Sequence, residues 1–326
     1  MGNSPDELPF VEPPTSGFII QLFVIPAVIV AVVIVVWLLF GRLAGGERNA
    51  MDYVETIRSE NENRRWRAAH ELASLIGNDA RLARDPELLG KLTELLSEEL
   101  GKEGNPRLKV YLVVALGAFQ TLDTRSTAGR LADPLAALAG ALSAKQPLEV
   151  RMAAAESLAK HAARSRGTLD HPEAARALAE ASDDAEPELR KRATYALGFF
   201  GSDSIVEALH RRLGDDDREV RYNAAIALGR RGDPAALQVF RVMLSPDELR
   251  QVNPAKRTAE GENQIEQIQL SALQALQESV HDGRPTLAQL LQREVTSLTH
   301  SNLASVRIEA EALLKILPPL RSIPES

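Results

Sequence analysis

Two stretches decide how this chain folds: PELRKRATYALGFFG at 187–201 and REVRYNAAIALGRRG at 218–232. Arg190, Ala193, Ala196, Leu197, Gly198 and Gly201 of the first fall on Arg221, Ala224, Ala227, Leu228, Gly229 and Gly232 of the second, at a constant offset of 31 residues. An earlier stretch from Pro106 repeats the pattern: Leu108, Ala115, Leu116, Gly117 and Phe119 land on Leu189, Ala196, Leu197, Gly198 and Phe200. Self-similarity of this kind marks a repeat architecture. Weaker copies begin at Glu149 and Ser305, one around Ile268 puts Gln269 in the arginine position, and the loosest begins at Arg64. That makes about seven units with uneven spacing.

Within a unit the pattern is helical. Val220, Ala224, Ala227 and Leu228 stand at i, i+4, i+7 and i+8, one stripe of an α-helix. The alanines let a neighbouring helix approach, and Gly229 and Gly232 are expected to end the helix in left-handed conformations. Asp233-Pro234 then offers a cap and a first-turn proline for the next helix. That helix carries Leu237, Phe240 and Leu244 on one face. Asp215, Asp216 and Asp217 offer caps for the helix that follows them. Nothing outside one long apolar run alternates with period two, so essentially no sheet is expected.

The run from Asp215 to Leu237, DDDREVRYNAAIALGRRGDPAAL, resembles a HEAT repeat of the short, phycobilisome-lyase-like (E-Z) class. The resemblance is strong over 186–244, fair over 106–159, and weak around Arg64, over 265–276 and over 305–317. It implies an all-α, HEAT-type α-solenoid: a right-handed superhelix of helical hairpins whose second helices line a concave face. Proteins of this fold mostly bind other proteins, and the motif specifies fold far better than function.

Upstream of the repeats, residues 17–40 (GFIIQLFVIPAVIVAVVIVVWLLF) contain no charge. As one helix they would reach roughly 36 Å, enough for a hydrocarbon layer of ~30 Å. A single transmembrane helix over 17–40 is therefore expected, with Pro26 a potential kink, Trp37 near one interface, and Arg42 and Arg48 flanking. The run is too long for a signal-peptide core and lacks basic residues before it. The two arginines place the large C-terminal part in the cytoplasm and the N-terminal tail outside. The expected organisation is an acidic, proline-rich tail at 1–16, the span at 17–40, a linker at 41–50, the solenoid at 51–320 with a polar insertion at 245–266, and a tail at 321–326. Stretches 122–130 and 165–172 read as smaller linkers.

Composition narrows the chemistry. The chain has 326 residues, 44% apolar but only 4% aromatic, and no cysteine. That removes disulfides, thiolate zinc sites and thiol nucleophiles. A net charge of −7 argues against gripping phosphates, so no nucleic-acid partner is expected. The six histidines are scattered. HEAT-fold hydroxylases hold a di-iron centre on several His-Glu pairs, whereas this chain offers one, His70-Glu71. No catalytic residue, cofactor or metal is expected. Arg151, Arg190 and Arg221, with Arg307 and Lys109, recur at one repeat position. Their two readings are a basic ladder for an acidic partner and a ladder of structural ion pairs between repeats. Lys191, Arg192, Arg230 and Arg231 add charge mid-array and complete the candidate interaction residues. The functional expectation is a membrane-anchored scaffold or adaptor for a protein partner, as in an accessory subunit of a membrane complex. The lipid contact would run through 17–40. A lyase- or hydroxylase-like enzyme on the same fold is the alternative.

Overall fold

A computed structural model describes residues 17, 25–44, 49–124, 132–165, 169–252 and 259–319. Met1–Asp52 and Tyr53–Ser326 form two compact units.

The first unit holds helix α1, Ile25–Ala44. Its start corrects the expected span. Pro26 occupies the first turn, where its missing N–H costs nothing and its fixed φ begins a helix instead of kinking one. The charge-free part of the helix, from Ile25 to Phe40, then reaches only about 24 Å, short of a ~30 Å hydrocarbon layer, before Gly41 and Arg42 enter the last turn. Among the described residues no helix is long and apolar enough to cross a membrane. The single-pass span, its lipid contact, and the cytoplasmic and outside placements built on it are withdrawn. Trp37 is exposed in α1; Arg48 and both predicted tails lie outside the described residues.

The second unit is a stack of helical hairpins. Helix α2 (Ala50–Arg58) begins at the boundary. It is followed by α3 (Glu62–Asn78), α4 (Pro86–Leu100), α5 (Pro106–Ala118), α6 (Pro134–Ala141) and α7 (Leu148–Arg164). Next come α8 (Pro172–Ala181), α9 (Pro187–Leu197), α10 (Val206–Arg212), α11 (Arg218–Arg230), α12 (Leu237–Leu244) and α13 (Pro246–Val252). Helices α14 (Ala259–His281), α15 (Thr286–Leu290), α16 (Gln292–Leu298) and α17 (Ala304–Ile316) close it. Seven second helices, α3, α5, α7, α9, α11, α14 and α17, each pack on the next and form one row. The first helices form another: α4 on α6, α6 on α8, α12 on α16. Among the described residues the architecture is an all-α repeat solenoid without strands; one isolated bridge joins Leu169 to Phe200.

Local chemistry dictates the hairpins. Asp85, Asp133 and Asp217 accept from the first free N–H groups of α4, α6 and α11. Each such cap is worth ~1 kcal/mol. Proline opens α4, α5, α6, α8 and α9 at a position needing no N–H. Between the rows lies a core of Leu and Ala, with Phe119, Phe200 and Phe240 its largest fully buried side chains. Gly232 does adopt a left-handed conformation, φ 68°. Gly229 does not; it sits inside α11, where a Cβ would meet the Phe240 ring at 2.4 Å, so its role is close approach. The stretch 245–266, expected as a loop, contains α13 and the start of α14.

Gly117 shows how tight the row is. A Cβ there would lie 2.4 Å from Ser157 Oγ and 3.1 Å from Ser157 Cα, which is backbone. Helices α5 and α7 would have to separate. Gly117→Ala is expected to cost about 2 kcal/mol net, overpacking outweighing the helix-propensity gain of ~1 kcal/mol. Urea denaturation checks this, and adding Ser157→Gly should recover most of the loss.

Candidate functional site

The recurring basic position has one geometry throughout the stack. Each side chain leaves the first turns of a second helix and reaches back to carbonyls of the turn before it. Arg190 Nη1 donates to the Asp184 and Ala185 carbonyls, both at 3.1 Å. Arg221 Nη1 donates to those of Asp215 (2.6 Å) and Asp216 (3.0 Å). Arg307 does the same to Ser301, and Arg151 to Leu142. Lys109 donates to Lys102. In the loosest unit Arg65 takes the position, donating to the Ile57 carbonyl and pairing with Glu99 at 2.8 Å. Even Gln269 donates to the Leu244 carbonyl, at 3.4 Å.

Carboxylates then link neighbouring repeats. Arg151 meets Asp184 at 2.6 Å. Arg190 grips Asp215 with two parallel bonds of 2.9 and 2.8 Å, the bidentate fork that guanidinium and carboxylate planes permit. Asp215 is buried, which raises a carboxyl pKa. The Arg190 bonds, the Asp217 backbone N–H, and the charges of Arg190 and Arg212 outweigh burial and hold it below the ordinary carboxylate range.

The mid-array candidates lie along the second-helix row. Lys191 pairs with Glu188 (2.6 Å) and Glu219 (3.1 Å), and Arg192 with Glu156 (3.2 Å) and Glu188 (3.1 Å). Arg230 pairs with Glu278 at 2.9 Å and lies over the Phe199 ring, 4.8 Å from its centroid. Arg231 sits apart from these, donating to the Phe200 and Ser202 carbonyls and pairing with Asp203.

Between these charges runs an apolar floor. A groove of about 450 Å³ is lined by Ala159 and Ala163 of α7, Tyr195 of α9 and Asn223 of α11, with Lys160, Lys191 and Arg192 at its rim. Tyr195 is 51% exposed and meets Phe199 edge-to-face at 5.0 Å. A second groove of about 730 Å³ shares Ala163 and continues past Gly198, Phe199 and Arg230 to Glu278 and His281. Tyr195, Phe199 and Asn223 were not among the expected residues. One signal pointed to Tyr195: it stands off the stripe of Leu189, Ala193, Ala196 and Leu197, and an aromatic on a polar helix face is there for something other than the core.

His70 packs edge-on against Tyr111, centroids 4.8 Å apart. Among the described residues no three His, Cys, Asp or Glu side chains gather as a metal could use.

A search of curated proteins finds no match. Among solved structures, an engineered protein is similar at 16% identity and a TM-score of 0.42, over 83% of this chain and 98% of its own. A designed armadillo repeat protein is similar at 17% identity and a TM-score of 0.39, over 83% and 100%. Human deoxyhypusine hydroxylase in complex with glycerol is similar at 18% identity and a TM-score of 0.31, over 85% and 98%. The family comparison does not single out the phycobilisome-lyase-like class: what it matches, over residues 174–252 and hence over the hairpins built on Arg190 and Arg221, is the model for HEAT repeats.

Proposed function

We propose that this chain is a protein-binding repeat scaffold or adaptor that engages its partner along the second-helix row. One observation carries the reading: the groove beside Tyr195 joins an apolar floor to a rim whose cations are already neutralised by Glu156, Glu188 and Glu219. Such a surface rewards burial of an apolar side chain, and aromatic anchors of this kind dominate binding energy at protein interfaces. Its charge balance does not favour a polyanion.

A photo-crosslinking residue replacing Tyr195 in the full chain, expressed in its native cells, tests the reading. The expected result is a discrete protein adduct at Tyr195 that is absent when the same residue replaces Glu173, exposed on α8 in the other row. Equal labelling at both positions, or at neither, overturns it. A stoichiometric metal on the purified chain that is lost in His70→Ala would do so too, in favour of the hydroxylase-like alternative.

A further inference from the structure

Trp66 of α3 is a half-buried aromatic of the second-helix row whose surroundings differ from those of Tyr195. Two guanidiniums lie over the indole: Arg67 at 5.4 Å from the ring centroid and Arg107 of α5 at 5.6 Å. Tyr111 stacks beside it at 6.2 Å, 22° from parallel, and the Trp66 Nε1–H donates to Asn63 at 3.4 Å. Mid-row, Lys160, Lys191, Arg192 and Arg230 each hold a carboxylate within 3.2 Å. Among the described residues, Arg67 and Arg107 form no ion pair.

A guanidinium resting on an aromatic face keeps its N–H edge free while losing most of its rotamer freedom. Two such forks on one indole are preorganised receptors for carboxylates, which they bind bidentately. Bulk charge does not explain them, because Glu62 and Glu71 share the helix with Arg64, Arg65 and Arg67, and Arg65 is already held by Glu99. That balance disfavours polyanions that depend on a uniformly positive surface. The indole, already covered by two guanidiniums and a phenol ring, is also a poor stacking platform for a base.

We infer that Trp66, Arg67, Arg107 and Tyr111 form a carboxylate-binding site that anchors an acidic segment of the protein partner at the first two repeats. The inference rests on the protein-binding reading above and adds to it the partner's chemistry and a second contact point. Helix axes in a packed row are 8–10 Å apart, so this site and the Tyr195 groove are separated by roughly 25 Å. About eight extended residues span that distance. A segment with glutamates or aspartates about eight residues from an apolar anchor would engage both.

The test uses the full chain and two fluorescein-labelled decapeptides, (Glu-Gly)5 and (Gln-Gly)5, read by fluorescence anisotropy. The site predicts saturable binding of the first alone, weakened several-fold between 50 and 200 mM salt (assay conditions on the order of the usual screening range). It predicts a loss of about tenfold in Arg67→Gln/Arg107→Gln and no change in Lys191→Gln/Arg192→Gln. Binding of (Glu-Gly)5 that is absent, or unaffected by the first pair of substitutions, overturns the inference. So does tighter arginine-dependent binding of oligothymidine or of phosphatidylserine vesicles. A retained Tyr195 crosslink alongside failed peptide binding would sink this site while leaving the scaffold reading intact.

Discussion

Asp215→Ala is expected to destabilise the solenoid by about 4 kcal/mol in urea denaturation, a large share of the stability of any domain. The reason is geometric. The carboxylate is 3% exposed and faces two cations, Arg190 at 2.8 Å and Arg212 at 2.9 Å, while also accepting the Asp217 N–H at 2.9 Å. Truncation leaves the Arg190 guanidinium in a half-buried space without its carboxylate, and leaves Arg212 with Asp183 alone. The neighbouring acid is the control. Asp183 also pairs with Arg212, at 2.6 Å, but is 40% exposed, so Asp183→Ala should cost less than about 1 kcal/mol. Equal losses in the two variants would contradict the assignment of Asp215 as the buried link. Its pH dependence has a definite sign. The folded-state pKa lies below the unfolded one, so the contribution is complete above the unfolded carboxyl pKa of about 4 and disappears as pH falls through the lower folded value.

His161 is the second large effect and acts in a different window. The ring is 3% exposed on α7 and its Nε2 lies 3.0 Å from the Leu116 carbonyl, to which the neutral ring donates. Burial pushes its pKa down to about 4. The Leu116 carbonyl pulls the other way, and the charges of Arg164 and Lys160 add to the lowering. Here the unfolded chain binds a proton that the folded chain refuses. Stability is therefore complete above an unfolded pKa of about 6.5 and falls by about 1.4 kcal/mol per unit from there to pH 4, about 3 kcal/mol in all. Denaturation midpoints at pH 7, 6, 5 and 4.5 (values chosen about the 6.5 reference) should trace this slope. His161→Gln keeps a donor for Leu116, is expected to flatten the slope, and should lower the starting stability only modestly. A slope unchanged in that variant would place the titration elsewhere.

The stack was legible in the sequence because its determinants are local and repeated. The Ala and Leu stripe of 189–197 and 220–228, and the aspartates before α4, α6 and α11, act within one hairpin, and the hairpin then recurs. The basic position was legible as a pattern, but its targets were not. Arg190 reaches carbonyls five and six residues upstream and a carboxylate 25 residues downstream, and only the packed chain brings these together. The apolar stretch misled for a physical reason. Hydropathy measures transfer preference along a run, whereas a span depends on the length of one continuous apolar helix, and the charge-free part of α1, Ile25–Phe40, is only about 24 Å long. The Tyr195 groove and the Trp66 cluster each draw side chains from two or three helices that no single-helix pattern relates. Their one advance sign was an aromatic on the polar side of a helix.

The recurring basic side chain also fixes where the molecule can change length. It binds the turn inside its own hairpin, and those turns, 101–105, 142–147, 182–186, 213–217 and 299–303, are nearly uniform. The longer connection 245–258, which includes α13, belongs to the unit in which Gln269 replaces the basic residue and reaches only the Leu244 carbonyl, at 3.4 Å. Junctions between hairpins lack this recurring clasp, although Arg164 and Arg231 reach carbonyls in two of them, and they range from 231–233 to 119–133. A reporter domain inserted after exposed Asp123, clear of buried Phe119 and of the Asp133 cap, should therefore leave the stack intact, while the same insertion at 213–217 should tear out the anchorage of Arg221 and Arg190 together.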